Sequence, residues 1–178
     1  MAAAIRTRLR AFVADRRAAT AVEFAILVTP LLFLVLAALQ LAIIFFANQW
    51  LETAAIQAGR QLMTGADQAQ GMTQSQFQQA VCAKAPAMFS CPGIMVDVQS
   101  ASSYSTISTT PLSLTYDSAG NVSNTWTYSP GAGGDIVILR VMYDWPVIAA
   151  PLLPGLANQP NGSRLLVATA VFKNEPFQ

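Results

Sequence analysis

The chain has 178 residues, of which only 11% are charged and 53% apolar, and its net charge is +1. A compact water-facing globule this poor in charge lacks the polar side chains to cover its surface, and the near-neutral balance excludes a broadly basic nucleic-acid binder. The absence of histidine removes His-based triads, His metal sites and His pH switches, and two cysteines are too few for a four-thiolate zinc site.

The charge that exists is unevenly placed. Arg6, Arg8, Arg10, Arg16 and Arg17 face only Asp15 and Glu23 in the first 23 residues, a net +3. Phe24 to Leu51 then carries no charge over 28 residues, and the remainder is net −2. At 1.5 Å per residue the uncharged run makes a helix of roughly 42 Å, longer than the ~30 Å hydrocarbon core. It therefore predicts a helix that crosses a bilayer and emerges, with Trp50 as an interfacial anchor. A buried core helix is a poorer reading, because the run has no polar face. A cleavable secretory signal is poorer too, because its apolar region would be about half as long and would end in a small-residue cleavage site. The basic N-terminus predicts a cytoplasmic start, with everything after about Asn48 outside the cytoplasm. Pro30 removes one backbone donor from the apolar helix and predicts a kink there.

Beyond Trp50 the helical period continues. Leu51, Ala55, Ala58 and Leu62 form one apolar stripe, and Gly65 is a stop signal, so one helix is predicted from about residue 18 to about residue 64. A linker, Ala66 to Met72, follows. Thr73-Gln74-Ser75-Gln76 matches a capping box, and the second helix it opens should end before Pro86. From Ile94 the period changes. Ile94–Val98, Leu112–Tyr116, Val122–Tyr128, Asp135–Trp145 and Leu165–Phe172 read as strands, with Asp117 to Gly120 as a hairpin turn and Ser129–Gly134 as a loop. Ser100–Thr110 carries little structural signal. Pro146–Pro160 reads as a long apolar loop, either packed over the sheet or forming a contact surface for another subunit. The predicted fold class is α+β: a long N-terminal transmembrane helix, a short second helix and a mainly antiparallel C-terminal sheet. The expected divisions are a basic cytoplasmic leader at 1–18, the extended helix at 19–65 and an extracytoplasmic α+β domain at 66–178.

Cys82 and Cys91 have eight residues between them. In an oxidising compartment two cysteines this close read as a disulfide tying the end of the second helix to the first strand; two unpaired buried thiols are the alternative. No motif points to catalysis. Scattered Ser and Thr have no histidine base, Asp97, Asp117, Asp135 and Asp144 show no spacing that singles out a pair, and Gly131 to Gly134 lacks the Lys-Ser/Thr of a phosphate loop. No cofactor and no nucleic-acid partner are expected. Asn121-Val122-Ser123 and Asn161-Gly162-Ser163 fit the glycosylation sequon as chance matches.

The segment Arg17-Ala18-Ala19-Thr20-Ala21-Val22-Glu23-Phe24-Ala25, followed by Pro30-Leu31-Leu32, sets basic residues, small residues, a glutamate and an aromatic before a long apolar helix. This resembles a type IV-like prepilin, and more closely the TadE/TadF-like pilin-like proteins of bacterial tight-adherence (Tad) pilus systems. Gln57-Ala58-Gly59-Arg60 and the terminal Phe172-Lys173-Asn174-Glu175-Pro176 resemble the family as well. The resemblance implies a minor pilin or pseudopilin in the bacterial inner membrane that assists assembly of an adhesive fibre. Its partners would be other pilin-like subunits, the inner-membrane assembly machinery, membrane lipid and a prepilin peptidase. The family's cleavage rule, which sets the glutamate at the fifth mature position, puts a cut between Ala18 and Ala19. Ala18 stands where the family favours Gly, and an uncut, permanently anchored chain is the alternative. A new ammonium at Ala19 would lie one helical turn from Glu23, which would pair with it or with a neighbouring subunit's N-terminus. The rival to a fibre subunit is a signal-anchored envelope binding module that never enters a fibre.

Overall fold

The computed structural model describes residues 19–106, 112–148, 150 and 153–177. Helix α1 spans Ala19–Met63 and runs through Pro30. The basic stretch 1–18 lies outside the described residues. The chain divides into two compact units, Met1–Gln40 and Leu41–Gln178, each described by itself.

In the first unit, α1 is built from Ala, Leu, Val, Ile and Phe with no glycine. The Thr29 hydroxyl is absorbed locally, donating to the Ala25 carbonyl at 2.6 Å.

In the second unit, α1 continues to Met63, and Gly65 ends it at φ 76°, a backbone angle only glycine adopts without cost. A Cβ at Gly65 would also strike the Phe177 ring at 2.5 Å. The expected linker contains a one-turn helix, α2 (Ala66–Ala69). Helix α3 (Gln74–Cys82) starts at a complete capping box: Thr73 Oγ1 accepts from the Gln76 N–H, and Gln76 Oε1 accepts from the Thr73 N–H.

Three strands follow: β1 (Ile94–Ala101), β2 (Ile136–Trp145) and β3 (Arg164–Lys173), in the order β1-β2-β3, all antiparallel. Central β2 is the most apolar, as burial on both faces requires, and nine of its ten residues are buried. Leu51, Ala54, Ala55, Ala58 and Leu62 of α1 share one core with Val96, Val98, Leu139 and Val141, closed by Phe77 and Val81 of α3.

Two predicted strands are absent. Leu112–Tyr116 and Val122–Tyr128 contribute only single bridges, Tyr116 to Val122 and Val98 to Tyr128. Beyond two backbone bonds, Ser123 N–H to the Thr115 carbonyl and Asp117 N–H to the Asn121 carbonyl, side chains take the partners a longer ladder would use. Asn124 accepts from the Thr115 N–H and donates to the Ser113 carbonyl, while Asp117 Oδ1 accepts from the Ala119 and Asn121 N–H groups. Asn and Asp compete with sheet formation in this way. The predicted turn at Asp117–Gly120 does form, closed by Gly120 N–H to the Asp117 carbonyl. Residues 127–129 instead cover the outer edge of β1: the Val98 N–H donates to Thr127 O and the Ser129 N–H to Val98 O, both at 2.8 Å.

The apolar loop after β2 divides in its behaviour. Val147 joins the core and Leu156 packs against it, whereas Ile148 is 88% exposed.

Candidate functional site

Ala19 begins the described helix, and Ala18, the other half of the expected cleavage point, lies outside the described residues. Glu23 sits one turn further on and is exposed. Around and beyond it the large apolar side chains point outward: Phe24, Ile26, Leu27, Leu31, Leu34, Leu36 and Leu39 are all more than half exposed. Only 11% of the most apolar window of α1 is buried, where the core helix of a soluble domain would be mostly buried. The helix is long and apolar enough to cross a membrane.

Cys82, at the end of α3, and Cys91, in the 3-10 turn Cys91–Gly93 before β1, form a disulfide with Cα atoms 5.4 Å apart. The same junction is held by Gln78, whose Nε2 donates to the Ile94 carbonyl at 2.5 Å. The bond thus staples a helix end to a strand start.

The four aspartates without a distinguishing spacing have separate fates. Asp97 and Arg140 are cross-strand partners and form a buried ion pair at 3.1 Å. Asp97 also accepts from the Thr127 N–H and from Gln99 Nε2, so its charge is well supplied with donors. A charge centred in each of two apolar strands was the available signal, but only the register makes them neighbours. Asp117 is consumed by its turn, and the N–H groups and side chain of that turn hold its carboxyl below the usual range, Asn121 first. Asp135 accepts from the Ala132 N–H. Asp144 lines an open groove of about 620 Å³ with Asn121, Asn161 and Ser163. There Asn161 Nδ2 donates to Asp144 Oδ2 and to Asn121 Oδ1, and the Ser163 hydroxyl donates to Asp144 Oδ1.

Asp67 is a buried carboxyl that the sequence did not single out. Burial pushes its pKa up, against an opposing pull from the Lys84 ammonium. Tyr128 is pushed up to about 12, by burial first and then by the Asp67 charge. No three His, Cys, Asp or Glu side chains converge as metal ligands among the described residues.

The two outlying stretches that resemble pilin-like proteins meet. A Cβ at Gly59 would lie 3.0 Å from the Phe172 ring, and the Glu175 N–H donates to the Met63 carbonyl at 2.8 Å. Asn174, 2% exposed, donates to the Pro130 and Ala132 carbonyls.

Residues 18–60 match the family model of TadE-like proteins. No curated protein and no solved structure matches the chain. Over that segment the chain is similar to TadE-like proteins, and together with the apolar helix this similarity suggests a membrane protein associated with Tad pili.

Proposed function

We propose that the chain is a minor pilin or pseudopilin-like subunit that assists assembly of a Tad-type adhesive pilus. It sits in the bacterial inner membrane with its N-terminus cytoplasmic and its α+β domain in the periplasm, and its partners are other pilin-like subunits and the assembly machinery. The observation that carries this reading is the coincidence of three features in one segment: the TadE-like match, the outward-facing apolar helix, and Glu23 at its start. A carboxylate at the membrane edge is costly unless it is paired. A subunit N-terminus supplies the pairing, and the helix remains buried among others like it when it leaves the bilayer.

The test is Glu23→Ala in cells, combined with mass spectrometry of the mature N-terminus. Insertion should be retained, because removing a charge makes the segment more apolar, while fibre assembly and surface adherence fall. A chain beginning at Ala19 supports processing after Ala18. Normal fibres from Glu23→Ala cells, with an uncut N-terminus, would sink the pilin-like mechanism.

The groove at Asp144, Asn161 and Ser163 favours a second reading, a permanently anchored binding module. That reading has Glu23 snorkelling to the headgroups and therefore expects no phenotype from Glu23→Ala.

A further inference from the structure

The exposed apolar tip of the loop after β2 has no role in the reading above. Its level along α1 follows from contacts within the second unit. The Met63 carbonyl accepts from the Glu175 N–H, and the next residue back, Asn174, donates its N–H to Asp135 just before β2. The end of α1 therefore lies beside the start of β2. A Cβ at Gly59 would stand 3.6 Å from Leu139 Cδ2, which fixes a second point and makes α1 and β2 antiparallel. Six strand residues from Leu139 to Trp145 climb about 20 Å, the rise of about 13 helix residues, which leads back to about Phe46. Trp145, Val147, Ile44 and Ala47 accordingly share one core cluster.

At this level α1 is still inside its uncharged run, and Phe45, Phe46 and Trp50 are exposed. Aromatic residues in such a position mark a membrane–water interface. Past Trp145 the chain turns, with the Ala150 N–H bonded to the Val147 carbonyl, so Ile148 occupies the tip of the turn. Met88 is half exposed at the same end, next to Phe89, whose ring packs on Tyr143 and Trp145. Arg164 stands opposite Trp145 in the sheet register, and its guanidinium donates to the Leu156 carbonyl at 3.1 Å. Asp144, facing the other side of the sheet, is engaged by Asn161 and Ser163.

We propose that Ile148, at the tip of the Val147–Ala150 turn, inserts with Met88 into the outer interface of the bilayer, giving the folded domain a second membrane contact beside its helix. This rests on the reading that the apolar part of α1 crosses the membrane. The occupant is lipid because the patch is continuous in level with the aromatic exit of the helix. The contact would fix how the domain sits on the membrane before it leaves with the fibre.

Both native cysteines are in the disulfide, so Ile148→Cys supplies the one free thiol of the chain, at a site whose exposure spares the core. The full-length variant, labelled with an environment-sensitive fluorophore, is reconstituted into phosphatidylethanolamine–phosphatidylglycerol vesicles. Gln70→Cys, exposed past the far end of α1, is the aqueous control, and Phe33→Cys is the membrane control. The Ile148 label should show blue-shifted emission, quenching by lipid-borne nitroxide and protection from iodide, with Gln70 the reverse. Iodide quenching at Ile148 equal to that at Gln70 overturns the proposal. So does protection from iodide without nitroxide quenching, which would mean a protein surface covers the turn. A Phe33 label that lipid nitroxide does not reach rejects the membrane helix itself, and the proposal with it.

Discussion

One helix, α1, is made for two different surroundings. Over Ala19–Gln40 its large side chains point outward on every face, with no preferred stripe. Over Leu41–Met63 the buried set is one stripe, Ile44, Ala47, Leu51, the adjacent Ala54 and Ala55, the adjacent Ala58 and Gly59, and Leu62, recurring every helical turn. The first pattern suits a solvent that is apolar all round, and the second, past the exposed aromatic residues Phe45, Phe46 and Trp50, suits a sheet on one side and water on the other. The small residues of the second half bring the helix backbone close to the sheet, and the wide side chains of the first half have no comparable constraint. The second stretch is also the more polar, with Asn48, Gln49, Glu52, Gln57, Arg60 and Gln61 outside its buried stripe, so composition and arrangement together distinguish the two.

Truncating one leucine in each half exposes the difference most strongly. Leu51 is fully buried, and Leu51→Ala should cost about 2–5 kcal/mol of domain stability, the range for a buried leucine that leaves a cavity. Leu34 is 65% exposed, and Leu34→Ala should leave domain stability unchanged. Urea unfolding of the full chain in mild detergent, followed by tryptophan fluorescence, measures both. Equal losses would erase the contrast between the halves.

The Cys82–Cys91 disulfide lies wholly on the domain side of that contrast. Its sequence separation is nine residues, and closing so short a loop stabilises by about 2–3 kcal/mol in the chain-entropy model. Cys82→Ser should lower the unfolding midpoint by a corresponding amount and leave membrane insertion untouched. Alkylation under native conditions should modify neither cysteine of the parent protein; free labelling of both would refute the bond.

What was legible in the sequence tracks how local each signal is. The helix over 18–64, its Gly65 stop, the Thr73 capping box and the strands expected at Ile94–Val98, Asp135–Trp145 and Leu165–Phe172 all rest on neighbours in sequence, and each is present to within a few residues among the described residues. The strands expected at Leu112–Tyr116 and Val122–Tyr128 failed because Asn124 and Asp117 satisfy the backbone from their side chains. Their β-favouring residues lose to those competitors. The Asp97–Arg140 pair joins residues 43 positions apart through strand register, and the Asp144–Asn161–Ser163 groove and buried Asp67 likewise depend on tertiary contacts distant in sequence. No spacing rule within a single strand reveals them. The roles expected of Ala18 and Glu23 rest on resemblance alone, since nothing in their immediate chemistry demands a cleavage.

A smaller effect belongs to the start of α3. Thr73→Ala removes the side-chain acceptor for the Gln76 N–H and half of the capping box. Loss of such a cap costs about 1 kcal/mol, and the same urea titration should resolve it. Thr73→Ser keeps the oxygen and should recover most of the loss.

At neutral pH the smallest effect is that of Tyr128, and it appears only in strong base. Its phenol is pushed from 10.0 up to about 12, by burial and then by the charge of Asp67. A raised pKa means that the folded chain holds a proton that the unfolded chain gives up. The stabilisation is therefore complete below pH 10 and is lost as pH rises through about 12. A phenolate absorbance titration should show a late step near pH 12. Tyr128→Phe should delete that late step and flatten the decline in stability over the same interval. Asp67→Asn removes the second cause and keeps the burial, so the late step should move down while remaining above the ordinary tyrosine range. If Asp67→Asn leaves the step where it was, the two groups do not interact across the second unit. If Tyr128→Phe leaves the late step in place, another tyrosine owns it.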